Sequence, residues 1–407
     1  MYSTFAWRYF RAKKNANAIN VIAWVTVGVI AFATACQILV LSVFNGFEDL
    51  VKSLYSNFYP DIKLVPEKGK TFQLTPERIQ KIKAGSAIAA ISMVVEEKAL
   101  IQNADQQVVV NLKGVDDQFA KVSGVPENTY RGNFMLGELD RPGLVVGAGV
   151  QIASGISAGS NMPPSVVTLI LPHKGKVSAA NPMDALSEGD AVATGVFSIQ
   201  QEFDNQYAIT NIGFVKNLLN YNENEFSAAE IKLKPGAVTN DAQKILQSIV
   251  GNDIRVLSKY QQNSSLYNTM KMEKWVIFAV LTLILLVAAF NMISALTMLV
   301  LEKQKDINVL QSLGATRKMV LKIFLSEGML LGAIGTAIGV CMATIICLLQ
   351  MKFKLIKLRG GSFLIDYFPV KMHWSDYALV AASALFIALL ASWFPAKKAA
   401  SQPLELK

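Results

Sequence analysis

Few residues of this chain can do chemistry. His173 and His373 are the two histidines, and neither has a cysteine near it in sequence. Cys36, Cys341 and Cys347 all lie in strongly apolar runs, so the spacing offers no zinc site and the polar part of the chain has no disulfide. No phosphate-binding Gly-x4-Gly-Lys-Ser/Thr loop occurs, so ATP is not bound through a P-loop. Gly147-Ala148-Gly149 meets Ile152 where the third glycine of a dinucleotide fingerprint would stand. Gly-x-Ser-x-Gly and His-Glu-x-x-His are also missing. The carboxylates are scattered, with no pair to single out. An autonomous enzyme is not expected, nor a cofactor or metal bound by the chain itself.

The stretch Glu302-Lys303-Gln304-Lys305-Asp306-Ile307 through Leu310 and Leu313 to Gly314-Ala315-Thr316-Arg317-Lys318 says more. Ile307, Leu310 and Leu313 fall near one helical face among charges, which predicts a short amphipathic helix. Gly314 suits its stop and Thr316 the cap of the next helix. Such a helix, joined to a span on each side, is a surface that a partner could push. An inert interfacial connector is the alternative.

Four apolar runs position that connector: about 21–43, 276–301, 329–349 and 377–394. A bilayer core about 30 Å thick takes about 20 apolar residues of helix. The chain is 52% hydrophobic and 17% charged, as expected of spans combined with a globular domain. The net charge of +9 fits membrane topology, and no motif of nucleic-acid binding accompanies it. Basic residues precede the first run, as in a signal peptide, and Ala33-Thr34-Ala35-Cys36 resembles a lipidation box. The run continues past Cys36, so an uncleaved span is expected. The apolar runs themselves lack charges, which disfavours an ion or proton path. Gly332, Gly335 and Gly339 lie near one helix face and point to close helix packing.

The expected fold class is an α-helical membrane protein with four transmembrane helices and an inserted α+β domain. Its parts are an N-terminal interfacial helix (1–20), the spans TM1 (21–44), TM2 (271–301), TM3 (319–350) and TM4 (377–395), the inserted domain (45–270), the coupling helix (302–318), a short outer loop (351–376) and a tail (396–407). Basic residues in the N-terminal segment, the connector and the tail put the termini in the cytoplasm and the inserted domain outside. The outer loop objects, since Lys352, Lys354, Lys357, Arg359 and Lys371 would then lie outside.

Within the inserted domain a strand is expected at 58–65, and Thr75-Pro76 starts a helix. A hairpin of 87–102 with 107–115 turns at Asn103-Ala104-Asp105. Strands follow at 144–146 and 166–171, then a Gly/Ser/Pro-rich loop at 172–190. Segments 192–203 and 206–211 are expected to pair. Helices at 213–220 and 240–250, with strands at 228–233 and 253–257, complete the domain. From about Gln262 no breaker occurs before Gly314, so the second span is expected to begin outside the membrane.

The connector resembles the coupling-helix signature of type VII ABC transporter permeases, the FtsX/MacB superfamily. Pro395-Ala396-Lys397-Lys398-Ala399-Ala400 with Pro403-Leu404-Glu405 resembles that family's ending. More narrowly, the chain is similar to the LolC/LolE lipoprotein-releasing permeases. That likeness is carried by Arg8-Tyr9, by Ser42-Val43-Phe44-Asn45-Gly46-Phe47-Glu48, by Lys271-Met272-Glu273-Lys274 and by 287–304 of span two.

The resemblance implies a MacB-like periplasmic core domain and an inner-membrane location. It implies a separate cytoplasmic ATPase dimer using ATP-Mg, a second permease (the same chain or a paralogue), a lipoprotein substrate and a periplasmic chaperone. Residues 303–316 (Lys303, Gln304, Lys305, Asp306, Ile307, Leu310, Leu313, Gly314, Ala315 and Thr316) would couple to the ATPase. Phe44, Phe47, Phe278, Leu281, Leu285 and Phe290 would line the acyl cavity. By order along the chain, Pro172, His173, Lys174, Pro182 and Met183 would form a chaperone loop. Burying an acyl chain is worth about 0.8 kcal/mol per methylene, so extracting one of about sixteen carbons costs on the order of 10 kcal/mol and needs outside energy. The competing expectations are an FtsX-like regulator of cell-wall hydrolases, a MacB-like exporter and a non-transporting receptor or scaffold.

Overall fold

The computed structural model describes residues 17–159, 163–172, 186–358 and 366–401. They fall into a helical unit, Met1–Leu50 with Asn268–Lys407, and a sheet unit, Val51–Tyr267. The described residues contain four helices long and apolar enough to cross a membrane, within Asn17–Phe58, Ser264–Glu302, Arg317–Phe353 and Trp374–Ala400. The first runs unbroken through Cys36, and the second starts at Ser264 with no kink-forming residue before its end. The N-terminal interfacial helix expected at 1–20 lies outside the described residues but for its last turn.

In the helical unit the spans meet through small side chains. Ala23, Val27, Ile30 and Ala33 of the first pack with Ala288, Ala289 and Met292 of the second, Leu331 of the third, and Ala384, Ala388 and Ala391 of the fourth. The expected glycine stripe sits at these contacts. A Cβ on Gly332 would stand 2.5 Å from Cβ of Ala388, and one on Gly339 would stand 2.5 Å from the Ala31 carbonyl oxygen. Gly328, one turn before the stripe, does the same against Ser392. Lipid tails are as apolar as leucine, so helices in a bilayer gain by close approach rather than by leaving water.

The sheet unit has thirteen described strands: β1 Ile62–Pro66, β2 Phe72–Gln73, β3 Ile88–Asn103, β4 Gln106–Val115, β5 Thr129–Gly132, β6 Gly137–Glu138, β7 Arg141–Gly147, β8 Val166–Pro172, β9 Leu186–Phe197, β10 Tyr207–Asn211, β11 Glu225–Phe226, β12 Ala228–Leu233 and β13 Ile254–Ser258. The main sheet runs β13-β1-β12-β3-β4-β10-β7-β9-β5, with β8 across β3 and β9. It is mixed, because β10 lies parallel to β4 and β7 parallel to β9. Long β3 is its spine: Ile88–Val94 pairs with β12, and Leu100–Gln102 with β8. Two cores form on it. One packs helices Pro76–Lys83 and Thr239–Val250 against β1, β12 and β13. The other packs Ile212–Leu219 and Ala148–Ser154 against β4, β7, β8 and β9.

Three expectations for this unit are corrected. Residue 58 does not open a strand: the first helix continues to Phe58, and the chain extends only past Pro60, which disfavours helix before it. The Phe58 ring stacks on Phe203 at 4.2 Å inside the sheet unit. Segments 192–203 and 206–211 do not pair. β9 ends at Phe197, Gln201–Asp204 is a helical turn, and β10 inserts between β4 and β7. The carboxylate of Asp204 forces that turn, accepting from the Ile199 amide and the Ser198 hydroxyl, each at 2.9 Å. Of the loop expected at 172–190, Pro172 instead closes β8 and 186–190 belong to β9, while 173–185 lie outside the described residues.

A candidate coupling connector and a polar clasp between spans

The connector after the second span is a helix, Gln304–Ser312. Ile307, 2% exposed, fixes it to the ends of three spans by packing among Leu299, Val300, Val320, Phe324 and Ala399. Leu310 is half-buried beside it. Leu313 is 80% exposed, which corrects the single face expected for Ile307, Leu310 and Leu313. At about 100° per residue, position 313 has turned well away from 307, and the helix has already ended. Val309 and Leu313 are instead the large apolar side chains that the connector presents outward, between exposed Lys305 and Arg317.

The stop and restart are local. Gly314 takes φ +95°, a backbone region where other side chains are strained. Its amide donates to the Gln311 carbonyl, and that of Ala315 donates to Leu310. Thr316 then caps Arg317–Phe353 by accepting from the Met319 amide at 3.4 Å. Lys303 and Asp306 pair at 3.4 Å across one turn. The connector therefore has a buried anchor, a glycine break at its C-terminal end and two projecting apolar side chains.

The candidate cavity residues do not share one setting. Leu285 is buried in the four-span core. Phe44, Phe47, Phe278 and Leu281 are half-buried, and Phe47 meets Phe368 edge-to-face at 5.8 Å. Phe290 is 68% exposed, along with Leu283, Ile284, Leu286 and Val287 of the same helix. Of the residues expected to form a chaperone loop, Pro172 closes β8, whereas His173, Lys174, Pro182 and Met183 lie outside the described residues.

Reading apolar runs missed the ionisable groups that border them. Asp376, at the start of the fourth long helix, is buried. Its Oδ2 accepts from Asn45 Nδ2 at 2.6 Å and from Lys274 Nζ at 2.9 Å, and Lys274 also donates to Asn45 Oδ1 at 2.9 Å. Three spans are thus clasped at one end. The Lys371 amide donates to the Ser42 carbonyl at 2.9 Å, and Lys371 pairs with Asp49. Gly46 allows the Pro369 carbonyl to approach, because a Cβ there would stand 2.3 Å from its oxygen. Glu327 is likewise buried, two residues before the third apolar run. The available signal was the placement of Asn45, Lys274 and Asp376 within a turn of three run ends, which puts them at one depth.

Comparison with known proteins follows the same layout. Residues 278–404 match the family model described as FtsX-like permease C-terminal. The chain is 29% identical to the lipoprotein-releasing system transmembrane protein LolC of Neisseria meningitidis serogroup B, over 100% of this chain and 99% of that one. It is 27% identical to LolE of Haemophilus influenzae, over 98% and 97%. Among solved structures, the periplasmic region of MacB from Actinobacillus actinomycetemcomitans aligns with a TM-score of 0.36 at 13% identity, covering 51% of this chain and 92% of that one. The chain carries an FtsX-like permease C-terminal segment and is, from end to end, similar to the LolC/LolE type of transmembrane protein.

Proposed function

We propose that this chain is the permease subunit of an ABC transporter that lifts lipoproteins out of the inner membrane and passes them to a periplasmic chaperone. ATP is hydrolysed by a separate cytoplasmic ATPase dimer, and a second permease, identical or paralogous, completes the complex. Both termini and the connector face the cytoplasm, and the sheet unit faces the periplasm. The similarity over the full length of LolC carries this reading, since it includes the spans, the connector and the inserted domain together.

The connector is suited to receive force. Ile307 joins it to the span ends, so a push on Val309 and Leu313 moves helices rather than a slack loop. Phe290 and the exposed apolar residues around it on the second span supply acyl contact. Leu285 serves the chain's own core instead.

The test is lipoprotein release from proteoliposomes containing the chain, its partner permease and its ATPase. Val309→Asp with Leu313→Asp is expected to leave the chain folded and to lower ATP-driven release at least tenfold. Unchanged release would overturn the coupling role. Normal lipoprotein sorting after depletion of the chain would overturn the function itself.

A further inference from the structure

The outer loop between the third and fourth spans holds basic residues that topology does not explain. Its described ends show how they are arranged. Lys352, Phe353, Lys354, Leu355, Ile356 and Lys357 are all exposed, so bases alternate with large apolar side chains. At the same end of the helix pair, Trp374 is 89% exposed at the start of the fourth long helix. In sequence, 351–373 contains a single carboxylate, Asp366, against Lys352, Lys354, Lys357, Arg359 and Lys371.

The patch is built rather than slack. Buried Gln350 donates to the carbonyls of Ile356 and Phe368, each at 3.1 Å, and accepts from the Ile356 amide at 2.9 Å. Two further backbone bonds, Leu358 to Asp366 and Phe368 to Ile356, tie the strands of the loop together. Lys354 ends the third long helix with φ +50° and lies 4.0 Å over the Tyr367 ring. The Lys354 ammonium is thereby held on the Tyr367 ring.

Apolar side chains of this size, exposed beside a membrane span, suit the headgroup boundary, where rings and aliphatic stems enter lipid and ammonium groups stay wet. A plain aromatic belt would explain the Trp and Phe, but it would not need five basic residues against one carboxylate. We infer that Lys352, Lys354 and Lys357 form a binding surface for the phosphates of anionic phospholipid headgroups, with Phe353, Leu355, Ile356 and Trp374 seated in the same leaflet. Charge complementarity names the occupant. The inference rests on the spans crossing a bilayer and is independent of the transported substrate.

Trp374 is a built-in reporter. A full-length variant with Trp7, Trp24, Trp275 and Trp393 replaced by Phe is reconstituted with brominated phosphatidylglycerol or brominated phosphatidylcholine, each diluted in unbrominated phosphatidylcholine. Near an anionic surface each basic residue contributes about a fivefold preference, so three give a local enrichment on the order of a hundredfold at low salt. Trp374 is therefore expected to be quenched at much lower fractions of the brominated anionic lipid than of the neutral one. K352Q/K354Q/K357Q should erase the difference, and so should molar salt acting on the unmodified lysines, a control that does not depend on how the variant folds. Equal quenching by the two lipids at low salt overturns the inference. So does a preference that survives both the substitutions and the salt.

Discussion

The helical and sheet units bury polar groups in opposite ways. In the sheet unit, two bases and two acids share one face of β1, β3, β4 and β12. Lys113 and Glu230 pair at 2.7 Å, both almost fully buried, and Lys63 and Glu96 pair at 3.4 Å closer to solvent. Aromatic rings wall the inner pair, with Lys113 Nζ 5.0 Å from the Phe58 centroid and 4.9 Å from that of Phe119. In the helical unit the span contacts are apolar and rich in alanine and glycine, and the Asn45–Lys274–Asp376 clasp sits at a helix end. A water-folded domain can offset ion desolvation with aromatic burial and hydrogen bonds. Spans lack that source of energy and depend on close approach.

The largest expected effect falls on the buried ion pair of the sheet unit. Lys113→Met leaves the Glu230 carboxylate buried without its base and should cost about 3–5 kcal/mol, read from hydrogen exchange of β3 and β12 in the full-length protein. Adding Glu230→Leu should recover most of that loss. If the single variant is as stable as the parent, the pair is not what fixes this face.

Next comes the helical side. Gly339→Leu forces a side chain into the Ala31 carbonyl and should cost about 1–3 kcal/mol of overpacking, seen as a lower unfolding temperature in detergent. An equal loss from an exposed position such as Ile345→Trp would show that contact distance is not the deciding variable.

The smallest effect is electrostatic and falls on the outer ion pair. Burial pushes the Glu96 carboxyl up, but Lys63 and then Lys113 more than offset it and hold the carboxyl below its ordinary value of 4.5. A lowered acid stabilises the fold above that ordinary value and loses the contribution as pH falls through the folded one. Glu96→Gln should therefore cost about 1 kcal/mol or less at neutral pH and flatten the acid limb of a stability-versus-pH curve. An unchanged acid limb would remove Glu96 from the network.

Much of this was legible locally. Thr75-Pro76, the Asn103-Ala104-Asp105 turn, and the stop and restart at Gly314 and Thr316 depend on backbone preferences of neighbouring residues, and each lies where those preferences put it. The connector's apolar face was misjudged by one residue class: Leu313 fits the pattern in composition but falls past the end of the helix. The pairing of β10 was beyond local reach, because its insertion between β4 and β7 and the stacking of Phe203 on Phe58 involve partners far apart in sequence.

By itself the sequence determined four apolar helices, an α+β insertion and a capped connector, because span length, hydrophobic period and capping are properties of contiguous residues. The tertiary structure alone decided which carbonyl each glycine meets, that Asn45, Lys274 and Asp376 close on one another, and that Leu285 turns inward while Phe290 turns outward. Those outcomes depend on helix rotation and strand order, which are set by the energy of packing every distant partner at once and are encoded in no short segment.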